Sequence, residues 1–302
     1  MPGFLLRRLA ASLLLLYLIL TVTFFLIHLA PGDPARISED QRMTREQRDR
    51  LHRIYRLDRP LPEQYLAWLN AVALHGDWGY SFSHQRAVTA VIADFLPRTL
   101  LLAGTSLAVE YAASLLLGIA AARRSGGAAD HAIRILAVLL SAQPVFWLGL
   151  MAILLFSYVW PVFPANGHLA LPALVLGLYS AGSTLRFVRG NLLEVMSRDF
   201  IRAARAKGLS EARVVWVHGL RNALTPLIQL FGMAIPARLN GALIVEVLFS
   251  WPGIGWLIFT SVATRDYPLI LGTTALSGIL VAAGSLVADL MHAAADPRVR
   301  NA

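Results

Sequence analysis

Long uncharged apolar runs constrain this chain more than any other feature. The first runs from Leu9 to Ala30, directly after Arg7 and Arg8. A helix of about 20 apolar residues crosses the roughly 30 Å of hydrocarbon in a bilayer. The apolar part of a cleaved signal peptide spans only about 7–15 residues, so this longer run reads as a retained first span. Five more runs follow, at Pro97–Ala122, Ala132–Trp160, Leu169–Val188, Ala223–Phe249 and Pro268–Met291. Composition agrees: 57% of residues are hydrophobic and only 15% charged, against about 25% charged in soluble domains. The expected fold is an all-α membrane protein with six transmembrane helices and both termini on one side. Pro144 in the third run, and Pro226 and Pro236 in the fifth, predict kinks.

Pro31-Gly32-Asp33-Pro34 ends the first run. A polar segment, 31–96, separates it from the second, and its arginines and acids nearly cancel. Within it, Thr44 to Tyr55 reads as an exposed amphipathic helix stopped by Pro60 and Pro62. The expected division is therefore an N-terminal transmembrane helix (1–30), an extracytoplasmic segment (31–96), a five-helix core (97–291) containing a cytoplasmic loop (189–222), and a cytoplasmic tail (292–302).

Orientation follows from the basic residues, since short loops rich in Arg and Lys stay in the cytoplasm. The loop after the second run carries Arg123, Arg124 and Arg134. The loop after the fourth carries Arg186, Arg189, Arg198, Arg202, Arg205, Lys207, Arg213 and Arg221 against Glu194, Asp199 and Glu211. Pro161 to His168 has no base, and the loop after the fifth run has only Arg265, beside Asp266. Both termini and the two basic loops are thus expected inside. The formal charge of +9 reads as a cytoplasmic-face property, with anionic lipid contact, and not as a nucleic-acid surface.

Reactive chemistry is scarce. Cysteine is absent, which excludes disulfides and thiolate sites. The single lysine, Lys207, sits in Ala-Arg-Ala-Lys-Gly and not in the Gly-x-x-x-x-Gly-Lys-[Ser/Thr] pattern of a phosphate loop. The histidines are scattered. No catalytic residue, metal site or cofactor is expected, and an intramembrane enzyme lacks its usual Asp/Asp, Ser/Lys or His pairs.

Asp199-Phe-Ile-Arg-Ala-Ala-Arg-Ala-Lys-Gly-Leu-Ser-Glu-Ala-Arg213 is the most informative stretch. Ala203, Ala204 and Ala206 make a small-residue helix that can approach a partner closely. Gly208 ends it, and Leu209-Ser210-Glu211 starts another; an ordinary basic connector is the plainer reading. Together with His218-Gly-Leu-Arg-Asn-Ala-Leu-Thr-Pro226, this stretch resembles the "EAA" loop of the inner-membrane permeases of bacterial ABC importers, in the dipeptide, oligopeptide and nickel group. Arg202 stands where the generic loop has Glu, and Arg221 where it has Pro; both departures are usual in that subgroup. The resemblance extends over roughly residues 4–300. It includes Leu29-Ala-Pro-Gly-Asp-Pro34, Tyr55-Arg-Leu-Asp58, Gly76-Asp-Trp-Gly-Tyr-Ser81, Glu246-Val-Leu-Phe-Ser-Trp-Pro-Gly-Ile-Gly255 and Arg265-Asp-Tyr-Pro268.

The resemblance implies a type I ABC importer permease fold and a transport subunit without its own ATPase. It implies that Arg202, Ala203, Ala204, Lys207, Gly208, Leu209, Ser210 and Glu211 couple to a cytoplasmic ATPase. The implied partners are two ATP-binding subunits, a homologous second permease and an extracytoplasmic solute-binding protein. Di- or oligopeptides are the first expected substrate; nickel or another metal chelate is the second, favoured by the short 161–168 loop. A secondary transporter or channel would explain the spans but not the loop.

Charge inside a span usually faces protein or a water-filled path. Glu110, Arg238, Asn240 and Glu246 are the candidate substrate-pathway residues. For Arg238 two readings stand: an internal ion pair with Glu110 or Glu246, or a pore charge that favours carboxylate-bearing substrates. Glu246 is also read as orienting the segment that follows it, and Asp289 as interfacial.

Overall fold

The computed structural model describes residues 2–29, 59–223 and 225–295. These residues form helices, with no strand among them apart from one isolated bridge between Tyr80 and Ala87. The elements are α1 (Pro2–Leu29), α2 (Leu61–His75), α3 (Val88–Arg123), α4 (Ala128–Ala142), α5 (Val145–Ile153), α6 (Ala170–Met196), α7 (Asp199–Ala206), α8 (Glu211–Arg213), α9 (Leu220–Ala223), α10 (Thr225–Leu248), α11 (Ile254–Ala263) and α12 (Tyr267–Ala295). π-Helical turns, Leu154–Val159 and Val214–Gly219, follow α5 and α8. The amphipathic helix expected at 44–55 and the tail 296–302 lie outside the described residues.

Among the described residues, four helices are long and apolar enough to cross a bilayer, within α1, α3, α6 and α12. The α4–α5 pair makes a fifth if it counts as one span. Several boundaries differ from those expected. α3 does not begin at Pro97 but at Val88. The turns before the proline bury Val88, Val91 and Ile92 against Ile254, Leu257 and Leu269, and that packing outweighs the one backbone hydrogen bond a proline removes. α6 continues past Val188 to Met196 because Leu192 and Val195 remain buried. Pro144 breaks its run where a kink was expected: Gln143 and Pro144 are extended, and the two helices meet at 104°. Pro226 is the second residue of α10, where a proline costs no hydrogen bond; α10 continues through position 236.

Two compact units divide the chain. The first comprises Arg98–Pro252 and Ala283–Ala302. In it α6 is the most enclosed helix, with Leu171, Leu176, Leu185, Val188 and Leu192 almost fully buried. Two glycines allow close approach. A Cβ at Gly177 would lie 2.7 Å from Val109 on α3, and one at Gly182 would lie 2.6 Å from the Ala137 carbonyl oxygen on α4. Any larger residue there would force the helices apart.

The second unit comprises Pro2–Pro97 and Gly253–Ala282. α1 meets α2 through an aromatic cluster of Phe24, Phe25, Tyr65 and Trp68, with Thr21 Oγ1 and Tyr65 OH 2.8 Å apart. The rest of α1 exposes Leu13, Leu14, Leu18, Val22 and Leu26. A continuous apolar stripe of that kind is expensive in water and natural in lipid.

Candidate functional site

The basic 189–222 loop contains a short amphipathic helix. α7 turns Ile201 and Ala204 inward against Val214, with Met196 and Leu209 packed beside them. Its other face is open: Arg202, Ala203, Lys207, Gly208, Ser210 and Glu211 are exposed, and Leu209 is half-buried. Ala204, expected among the coupling residues, is thus one of the inward anchors. Gly208 closes the helix with φ +76°, the left-handed conformation that costs glycine little. Arg205 then reaches across this turn to Glu211, with contacts of 3.1 and 2.7 Å. The guanidinium holds the Glu211 carboxyl below its ordinary range and spans the α7–α8 corner. Phe200 is 41% exposed and three residues before Ala203, so on a helix both lie on one face. Sequence reasoning passed over Phe200. An exposed aromatic in an otherwise small, charged helix was the available signal.

A second cluster lies among α3, α6 and α10. Arg238 Nη2 pairs with Glu110 Oε2. Nη1 donates to Ser180 Oγ at 2.6 Å and to the Leu176 carbonyl at 3.4 Å. Thr184 Oγ1 donates to the other Glu110 oxygen at 2.6 Å. The two charged side chains are 8% and 4% exposed. Opposite charges and two hydroxyls satisfy each other in a setting where either charge alone would be costly. Only Arg238 Nε, among the atoms of these two residues, lacks a partner.

Glu246 belongs to a different cluster. It is fully buried, and its Oε1 accepts a hydrogen bond from Thr99 at 2.7 Å. Eight residues of helix separate it from Arg238, about 12 Å of rise. Its backbone carbonyl accepts from Trp251 N at 2.8 Å, and Trp251 Nε1 donates to the Arg98 carbonyl at 3.0 Å. Glu246 therefore sits at the turn that the Ser250-Trp251-Pro252 segment makes after α10. The Asn240 and Asp289 side chains lie outside the described residues.

The loop's inner boundary holds a third polar group. Asp130 is completely buried in the first turn of α4. Arg189 on α6 grips it with both arms, Nε to Oδ1 at 2.6 Å and Nη2 to Oδ2 at 2.7 Å. The Gly126 N–H adds a bond at 2.9 Å. Both carboxylate oxygens of Asp130 are thereby paired. The sequence marks Arg189 only as one base among many, and nothing in the spacing of 130 and 189 shows their pairing. Among the described residues no three His, Asp or Glu converge as a metal-binding set.

Comparison with known proteins fits this arrangement. Residues 114–301, which include the loop and both α6 and α10, match the family of binding-protein-dependent transport system inner membrane components. Residues 1–103 match the N-terminal region of such components. The chain belongs to this family. Relatives of the permease resemble it from end to end. It is 36% identical to the oligopeptide transport system permease protein AppB of Bacillus subtilis, over 99% of both chains. It is 34% identical to the di/tripeptide transport system permease protein DppB of Pseudomonas aeruginosa, over 100% of this chain and 99% of that one. It is 32% identical to the dipeptide permease DppB of Escherichia coli K12, with the same coverage. Among solved structures, the permease superposes on the inward-facing MetNI methionine ABC transporter with a TM-score of 0.54 at 20% identity, over 70% of this chain and 96% of that one. An amino acid ABC transporter gives 0.54 at 16% identity, over 67% and 92%. These likenesses establish the ABC permease fold. The permease is an integral membrane transport component.

Proposed function

We propose that the permease is the pore-forming subunit of an ATP-driven importer of di- or oligopeptides. The observation that carries this is the α7–Gly208–α8 corner: a short helix anchored from inside by Ile201 and Ala204, presenting small and basic residues outward. That shape suits the groove of a separate ATPase, which would drive it as a rigid lever. The peptide assignment rests on the names of the full-length relatives.

In this reading α10 is the sixth span; its 24 residues extend about 36 Å. Both termini and the 189–222 loop lie in the cytoplasm, and residues 31–96 lie outside. A second, homologous permease completes the pathway, two ATP-binding subunits engage the two loops, and a solute-binding protein delivers the peptide. Arg202, Ala203, Lys207, Gly208, Ser210 and Glu211 form the contact face, while Ala204 and Leu209 support it. Arg238, with Glu110, borders the pathway. Its guanidinium is occupied in this state, so a substrate carboxylate would reach it only as the ion pair opens.

Reconstitution with the ATPase subunits and binding protein tests the reading. A labelled dipeptide accumulates in an ATP-dependent manner, and chelated nickel does not. ATP-independent uptake would overturn the mechanism, and uptake of the chelate in place of the peptide would overturn the substrate.

A further inference from the structure

We propose that Asp130 and Arg189 form the joint that makes α4 and the 123–127 turn move as one body with the coupling loop. The pair is then a positioning element of transport. This rests on the reading of α7 as the part that receives motion from the ATPase.

The path is short. Arg189 lies seven residues before the end of α6. Only Ser197 and Arg198 separate α6 from α7, and Arg198 N and Ser197 N bond back to Val195 and Glu194 carbonyls. α7 therefore follows α6 after a two-residue turn, at which Arg198 is extended and both backbone N–H groups are bonded back to α6. Displacement of α7 reaches the cytoplasmic end of α6 first, at Arg189.

What Arg189 holds is the beginning of the broken span. The bidentate grip fixes two atoms of each partner and leaves no free rotation. Asp130 is also tied to the Gly126 N–H, and Arg189 Nη2 lies 3.5 Å from Ser125 Oγ. One turn inward, Arg186 Nη2 donates to Ser141 Oγ at 3.2 Å. At Gly182 the α6 backbone comes so near α4 that no side chain fits. α4 and α6 are thus bolted at their cytoplasmic end and packed tightly above it. At its far end α4 meets the 104° break before α5. Motion entering at α7 would be handed to α4 and turned at that break.

A ladder of ordinary fold contacts would not need a fully buried carboxylate. An isolated buried charge is costly, and an apolar pair of equal size would hold two helices as well. A two-pronged ion pair offers resistance to shear in a fixed register, which a mechanical joint requires.

The test uses the complete transporter in proteoliposomes, with ATPase subunits and binding protein present. Asp130→Asn retains the shape and removes the charge. Expected is an assembled complex that still hydrolyses ATP but moves about tenfold less peptide per ATP, with recovery in Asp130→Glu or in the swapped pair Asp130→Arg/Arg189→Asp. Unchanged peptide per ATP in an assembled Asp130→Asn complex overturns the proposal, as does a parallel loss of hydrolysis, uptake and thermal stability. Should Asp130→Asn fail to assemble, the otherwise intact chain carries the test. It has no cysteine, so spin labels at Ala128→Cys and Ser197→Cys report one distance. That distance should hold constant between nucleotide-free and ATP-bound states while a label pair spanning the 143–144 break changes. A change of several ångströms between 128 and 197 overturns the joint. Failure of the coupling reading itself would look different: the unaltered complex would show no ATP dependence at all.

Discussion

Arg238 on α10 and Glu110 on α3 form a buried ion pair, and Thr184 and Ser180 on α6 complete its hydrogen bonds. Three helices thereby share one polar knot. Removing one partner leaves the other charge buried and uncompensated, which costs about 3–5 kcal/mol. Glu110→Leu should therefore lower the thermal stability of the assembled transporter more than Glu110→Leu/Arg238→Met, in which no charge is stranded. A double variant less stable than the single one would show that the pair is not a closed unit. The double variant Glu110→Leu/Arg238→Met separates the second role: it strands no charge, so assembly and basal ATPase activity should persist while uptake falls, and normal uptake removes Arg238 from the pathway.

Gly208 makes the left-handed turn between α7 and α8, the corner proposed to dock on the ATPase. A residue with a Cβ costs roughly 1–2 kcal/mol in its left-handed conformation, and a β-branched one costs more. Gly208→Val should weaken co-purification with the ATPase subunit and reduce uptake, with the transmembrane helices intact by circular dichroism. Undiminished retention of the ATPase would count against the corner as its docking point.

The fold's helices are legible in the sequence to the extent that each buries or exposes an unbroken apolar stretch. α1, α3, α6 and α12 announce themselves by length. Their ends are less legible, because Val88, Leu192 and Val195 are placed by tertiary contacts that no local signal encodes. The loop was readable because its alanines, Gly208 and charges are contiguous. Asp130 and Arg189 were not: their pairing depends on how α4 lies along α6, and a lone buried aspartate looks like any polar residue near a loop. Pro144 signals a disruption of its run, but proline chemistry alone does not distinguish a kink from the 104° break.

The close approach of α4 and α6 at Gly182 yields a packing prediction. A Cβ there would sit 2.6 Å from the Ala137 carbonyl oxygen. Overpacking of this kind costs about 1–3 kcal/mol. Gly182→Val should lower the melting temperature of the purified transporter, whereas Gly190→Ala, where a Cβ meets nothing within 4 Å, should not. Equal effects at the two positions would contradict the contact.

Asp266 anchors the 76–87 loop. It accepts Ser81 Oγ at 2.6 Å, Ser83 N at 2.8 Å and Ser83 Oγ at 2.7 Å, and it caps α12 through Leu269 N. Asp266→Ala removes the bonds from Ser81 Oγ, Ser83 N and Ser83 Oγ, and leaves Ser81 Oγ only its contacts with His84 and Ser83. Faster amide hydrogen exchange across residues 79–86 is expected; unchanged exchange would show that other contacts hold the loop.

Thiol accessibility at one position tests the central claim most directly. Ala203→Cys would be the only cysteine in the permease. A membrane-impermeant maleimide should label it in inverted membrane vesicles stripped of the ATPase, and re-addition of the ATPase subunit should block that labelling. Labelling from the outer face of intact cells, or labelling that the ATPase leaves unchanged, would contradict a cytoplasmic coupling corner.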